Sequence, residues 1–354
     1  ASGATLDFQG VNYTSTEAIH NSGTISASSG TSSFAGAITL NANTNIDVDG
    51  TQLTLSGNIT DSGTRNLTKN GVGILELSGS NSYSGDTLVN AGTLRLSGSL
   101  SNSTDITINS GASLDLQASQ TVASLDLNGS ITRSSGTSAL TVSGTSDLGG
   151  NVTTSGAQTY TGTTTLSAAN TLTTTNSNIT FGNTVNSDGT TRNLTINAGT
   201  GTTQFAGIVG GSNGVGNIDI TGALDLNAAI SNASSLTVSL ASNIGANVTT
   251  SGTQTYTGAT TFSSSSTLSG STINFGSTIN GGNNNIIISG NADFDGAITN
   301  AAALSVQGVG VTSNIGADIT TTGVQFLGNA TLSGTGDRTV TCLLYTSPSP
   351  RDLS

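Results

Sequence analysis

Residues 70–98 read NGVGILELSGSNSYSGDTLVNAGTLRLSG, from Asn70 to Gly98. Two short alternating strands are written in it, Ile74–Leu77 and Thr93–Leu96, with Leu75, Leu77, Leu94 and Leu96 on one face. Side chains in a strand change face at every residue, so Glu76 and Arg95, each between two leucines, point the other way. From Glu76 to Arg95 the spacing is 19. The same Leu-x-Leu pattern recurs on either side: Leu53–Leu55 lies 22 before Leu75, and Leu114–Leu116 lies 20 after Leu94. A pattern that returns at this interval, about 20 residues, marks a coil stacked on a coil.

Turn residues keep the same beat. Asn90-Ala91-Gly92 and Asn109-Ser110-Gly111 are 19 apart, with Asn70-Gly71 before them and Asn128-Gly129 after. Asn and Gly adopt left-handed backbone angles at little cost, so they belong at sharp corners. Stacked asparagines can also form amide ladders from coil to coil.

Composition supports many short strands. Of 354 residues, 7% are charged and 4% aromatic, Gly numbers 48, and Trp and Met are missing. Aliphatic residues come in short alternating runs bounded by Gly, Ser, Asn or Asp, and no helical period is convincing. That alternation, with low charge density, also argues against disorder. The net charge is −12, from 19 acids and 7 scattered bases, so no basic patch is present for nucleic acid or anionic lipid. No apolar run reaches the ~18 residues of a membrane helix. The chain begins at Ala1 without Met and reads as a fragment, so a missing signal peptide says nothing about export.

The single Cys and both Pro fall in CLLYTSPSPRDLS, from Cys342 to Ser354. This tail, 342–354, resembles a translated sequencing adapter and is set aside from fold reasoning. The remaining 1–341 is free of Cys and needs no disulfides, which suits export.

A longer duplication follows about Gly149. NVTTSGAQTYTGTTTL begins at Asn151, and NVTTSGTQTYTGATTF begins at Asn247, an offset of 96. A decayed copy, DITTTGVQFLGNATL, begins at Asp318, 71 further on. Tyr160, Phe181 and Phe205 are spaced by 21 and 24, and Tyr256, Phe275 and Phe294 by 19 and 19, so each long repeat holds several coils. The segment 151–341 is thus a set of longer imperfect repeats.

Aromatic-x-Gly units occur at Phe8, Phe34, Tyr83, Tyr160, Phe205, Tyr256, Phe294 and Phe326. The favoured reading packs each ring into the end of the core while Gly turns the corner. The alternative is a row of exposed rings that binds carbohydrate.

A β-sandwich also uses many short strands, but it fills an interior roughly 10 Å thick with large residues that are scarce here. A Leu-x-Leu return of about 20 residues suits one turn of three short strands, with Ser, Thr and Asn expected on the outer face. With about 20 residues and about 4.8 Å per coil, residues 1–341 would give about 17 coils and a rod about 80 Å long. Glu76, Arg95 and Asp115 should then stack on one outer face as an exposed acid–base–acid ladder, worth about 1 kcal/mol in all.

Residues 71–98 resemble the autotransporter-associated β-strand repeat, G-x-G-x-L-x-L-x-G-x-N-x-Y-x-G-x-T-x-V-x-x-G-x-L. Its places are filled by Gly71, Gly73, Leu75, Leu77, Gly79, Asn81, Tyr83, Gly85, Thr87, Val89, Gly92 and Leu94. The resemblance implies an all-β, right-handed parallel β-helix: the passenger of a type V secreted protein, displayed at the bacterial outer membrane and often adhesive. The implied partners are host or environmental glycans or matrix proteins, with a membrane barrel in the missing C-terminal part and no defined oligomer. The family's barrel and a two-partner secretion signal are not recognisable in this fragment.

Catalytic chemistry finds little support. His20 is the lone histidine, in the strand-turn segment EAIHNSG, and no Cys precedes the tail, so the usual zinc sites and a histidine triad are not expected. The acid pairs Asp47/Asp49 and Asp293/Asp295 could serve glycoside cleavage or Ca²⁺ binding. Ile46, Val48 and Phe294 take the inner face, which leaves these acids outside. Gly207–Gly216, GIVGGSNGVG, precedes no helix and gives no phosphate cradle. No catalytic, cofactor or metal residue is therefore assigned. The expectation is a non-enzymatic surface adhesin scaffold, with a spacer or surface-layer element as the alternative and a polysaccharide-active β-helix third. Its open strand ends should make the isolated fragment prone to aggregate.

Overall fold

The computed structural model describes residues 3–334 and 336–342; residues 343–354 of the adapter-like tail lie outside the described residues. The described residues form strands and turns with no helix. They fall into two compact units, Ala1–Gly201 and Thr202–Ser354. Each is a β-solenoid of parallel strands stacked coil on coil.

In the first unit one wall runs through ten strands, from Thr5–Gln9 and Thr24–Ser29 to Thr164–Leu166 and Val185–Ser187. Registered partners along it, such as Thr44 with Leu67 and Ser146 with Thr164, belong to successive coils. The second wall carries the Leu-x-Leu columns. Leu53, Leu75, Leu94 and Leu114 are in register, as are Leu55, Leu77, Leu96 and Leu116, and all are buried. A column of identical γ-branched side chains stacks because parallel in-register pairing repeats the same environment at each coil.

The third wall changes along the chain. It starts with Ile19–Asn21, Ile38–Leu40 and Ile59–Asp61, and resumes with Gln120–Val122, Leu140–Val142, Gln158–Tyr160 and Ile179–Phe181. Tyr160 and Phe181 stack with centroids 5.3 Å apart. In the second unit Val238, Tyr256, Phe275, Phe294 and Ile315 form the matching column. Tyr256 and Phe275 are 5.2 Å apart, and Phe275 and Phe294 5.8 Å, in the offset-stacked range for aromatic pairs.

Most Ser, Thr and Asn side chains lie on the outer face, as expected, but Thr44, Thr87, Ser146, Thr164, Gln158 and Gln254 are buried. Gln158 shows how a polar residue is accommodated: its Nε2 donates to Thr173 O at 2.9 Å, and its Oε1 accepts from the Tyr160 hydroxyl at 3.0 Å. Gln254 and Tyr256 repeat that arrangement, with Ser269 O as the acceptor.

One expectation is corrected, at the aromatic corners. Seven of the eight rings are buried, but Phe326 is 56% exposed. Thr255 separates Gln254 from Tyr256, whereas Phe326 follows Gln325 directly. Tyr256 therefore registers with inward Val238, while Phe326 registers with Ser305, an outward position. One missing residue flips the ring to the other face.

Candidate functional site

The segment from Leu67 to Leu96 holds many specific contacts, and it is built on an unusual core position. Leu67–Asn70 alternates Leu67 in, Thr68 out, Lys69 in. Lys69 thus occupies an aliphatic column, in register with Ile46 and Val89, and is fully buried. Its four methylenes fill the column, and Nζ reaches the corner. There it donates to the carbonyl oxygens of Asn70 at 2.6 Å and Gly71 at 2.7 Å, and to Ala91 of the next coil at 3.1 Å. Gly71 turns this corner at φ 74°, a left-handed angle that glycine takes without strain. Burial pushes the ammonium down to about 8, against the opposing pull of the Asp49 and Asp47 carboxylates.

Outside the same corner runs an amide ladder. Asn70 Nδ2 donates to Asp47 Oδ1, Asn90 Nδ2 to Asn70 Oδ1, and Asn109 Nδ2 to Asn90 Oδ1, each at 2.8 Å. The expected stacking of asparagines is thus present over three coils and ends on the Asp47 carboxylate, whereas Asn128 donates instead to Asp126 Oδ1 at 2.9 Å.

Between Asp61 and Gln120 the third wall is held by side chains. Buried Asn81 accepts from the Ile59 amide at 3.1 Å and donates to Gly79 and Ser99 carbonyls, both at 3.0 Å. Gln120 likewise accepts from the Leu100 amide and donates to Gly98 O. The buried Tyr83 hydroxyl is 2.6 Å from Thr87 Oγ1, and burial raises its pKa well above the usual phenol value. Gly79 lies where a Cβ would overlap the carbonyl of Gly57 in the preceding coil, so only glycine allows this approach.

Glu76, Arg95 and Asp115 stack in register as expected. Arg95 Nε donates to Asp115 Oδ2 at 2.9 Å, and Arg95 Nη1 is 3.9 Å from Glu76 Oε2. The ladder is not exposed along its whole length, however, because Asp115 is buried at 3% exposure. Ser134 covers it, donating its amide at 2.8 Å and its hydroxyl at 2.6 Å, while Gln117 Nε2 donates at 3.1 Å.

The other candidate residues stay apart. His20 is exposed in Ile19–Asn21 and registers with Thr39. Asp47 and Asp293 lie half-buried on outer faces, Asp49 and Asp295 are exposed, and each pair flanks an inward Val48 or Phe294. No group of three His, Cys, Asp or Glu side chains that could hold a metal ion occurs among the described residues. An open groove of about 600 Å³ in the second unit includes Asp225, Asn243 and Thr261. The Asp225 carboxylate already accepts from Gln204, Asn227 and Asn243 at 2.8–3.1 Å. Chemically, these arrangements lock coil to coil.

Lys69 was hidden among seven scattered bases in the sequence. Its signal was the alternation Leu67-x-Lys69, which assigns it to the inner face.

Residues 67–96 match the family model of the passenger-associated-transport-repeat. No curated protein matches the chain. No solved structure matches it either. The matched residues run from inward Leu67 to the end of Thr93–Leu96, the segment that contains the Lys69 corner, Asn81, Tyr83 and both leucine strands.

Proposed function

We propose that this chain is part of the passenger of a bacterial autotransporter-like protein, exported and displayed at the cell surface, where it serves as a non-catalytic adhesive scaffold. The observation that carries this reading is the match of residues 67–96 to a passenger-associated repeat, seated as an integral turn of a parallel solenoid. A stack of short strands that buries its own side chains and leaves its turns outside can present variable loops to glycans or matrix proteins. Anchoring by a membrane barrel outside this chain and a type V route of export belong to the same proposal.

A spacer role is the second reading. Outer-face carboxylates and amides such as Asp225, Asn70 and Asn90 hydrogen-bond to neighbouring coils, which supports a surface built to hold its own shape. Binding of the purified chain to immobilised glycans and matrix proteins tests the adhesive role. Saturable binding to one class supports it. Uniform failure to bind, together with surface display of the intact protein, favours the spacer.

A further inference from the structure

Leu125, Ser146, Thr164 and Val185 stand in register on successive coils of the first unit, all facing inward. In the second unit Leu224, Ser242, Thr260 and Ile279 stand in the same order. From Ser146 to Ser242 the offset is 96, as it is from Thr164 to Thr260, and this is the offset of the long duplication. The copies have diverged nearby, with Leu148 answered by Ile244 and Leu166 by Phe262, yet both hydroxyls persist.

All four hydroxyl residues are at most 3% exposed, and none of the four oxygens has a hydrogen-bond partner among the described residues. A buried hydroxyl without a partner is costly, and protein interiors usually meet the need with another polar group or a water. The paired hydroxyls do not bond each other in this structure, unlike the registered pair Thr93 and Ser113, whose hydroxyl oxygens lie 2.9 Å apart on adjacent coils. Two bonds of about 2.8 Å meeting at a near-tetrahedral oxygen span about 4.6 Å, close to one coil step. Ser146 and Ser242 are also shorter than Leu125 and Leu224, with which they register.

We propose that each hydroxyl pair, Ser146 with Thr164 and Ser242 with Thr260, binds one internal water that bridges adjacent coils. The water completes a polar rung inside an otherwise aliphatic column. It also keys the register of a repetitive chain, since a slip by one coil sets a hydroxyl against Leu224 or Ile279 instead of its partner.

A high-resolution crystal structure of the intact chain is one test, and a double-mutant cycle of Ser242→Ala and Thr260→Val is the other. The expected map has a water within hydrogen-bond distance of both oxygens in each pair. Each single variant should lower Tm by a few degrees, and the double variant should recover most of that loss because no stranded hydroxyl remains. Hydroxyls bonded to each other or to protein carbonyls, with no water between them, would overturn the proposal. Additive losses of Tm in the cycle would do the same.

Discussion

Arg95 makes its close contact with the residue one coil ahead: its Nε is 2.9 Å from Asp115 Oδ2, while Glu76, one coil behind, is 3.9 Å away. The two acids are equivalent in the repeat but differ in cover. Asp115 also receives the Ser134 amide and hydroxyl, so it is the acid on which the ladder rests.

Burial raises the Asp115 pKa, but hydrogen bonds from Ser134, Arg95 and Gln117 outweigh it and leave the net value below the usual carboxylate range. A folded pKa below the unfolded one gives stability that is present above the unfolded value and lost as pH falls through the folded value. Asp115→Asn should cost about 2 kcal/mol at neutral pH and flatten the loss of stability below about pH 4. Urea unfolding of both proteins from pH 2 to pH 7 checks this. Parallel pH profiles would refute the assignment.

Lys69 has the opposite pH signature from a typical paired lysine. Its folded value is about 8 and its unfolded value 10.5, so the unfolded chain binds more protons between them. The Lys69 contribution to stability therefore rises as pH increases from about 8 toward 10.5. Lys69→Met should remove this rise, visible as a difference between the two Tm–pH curves. Lys69→Ala, which opens a cavity as well as stripping the corner carbonyls of a donor, should cost about 3 kcal/mol.

Gly79 and Gly111 separate crowding from backbone strain. A Cβ on Gly79 overlaps the Gly57 carbonyl, whereas Gly111 has φ 82° and nothing within 4 Å of its Cβ position. Gly111→Ala should cost about 1 kcal/mol, and Gly79→Ala more than about 3 kcal/mol because two coils must part. Equal effects in denaturant titrations would contradict the close approach of these coils.

Phe326 offers a gain. Inserting one Thr between Gln325 and Phe326 restores the spacing of Gln254-Thr255-Tyr256 and returns the ring to the inner column. The insertion should raise Tm. Because the chain has no Trp, Phe326→Trp supplies a single reporter, and the same insertion should shield it from acrylamide quenching. Lowered Tm with unchanged quenching would show that the register is set elsewhere.

The leucine columns were legible because period-two alternation and a return once per coil together leave one parallel register that buries every leucine. The asparagine ladder was legible for the same reason, as one side chain repeats at one corner. Lys69 and the inner hydroxyls were hidden because polarity normally assigns a residue to solvent, and only coil-to-coil register reveals the inward slot. The burial of Asp115 depends on Ser134, which folds over it from the following coil, a contact that no local pattern encodes. Phe326 kept its motif but lost one residue before it, so composition preserved the corner while parity reversed its face.

The central claim is that residues 67–96 form one turn stacked in register on its neighbours, and engineered cysteine pairs test it most directly. Ile74, Thr93 and Ser113 occupy one half-buried column on three successive coils. In a Cys342→Ser background, cysteines at 74 and 93 should be joined rapidly by a one-carbon bis-thiosulfonate reagent, being about 4.8 Å apart. Cysteines at 74 and 113, about two strand spacings apart at ~9.6 Å, should not be joined. Efficient linkage of 74 to 113, or none of 74 to 93, would contradict the stacked turn.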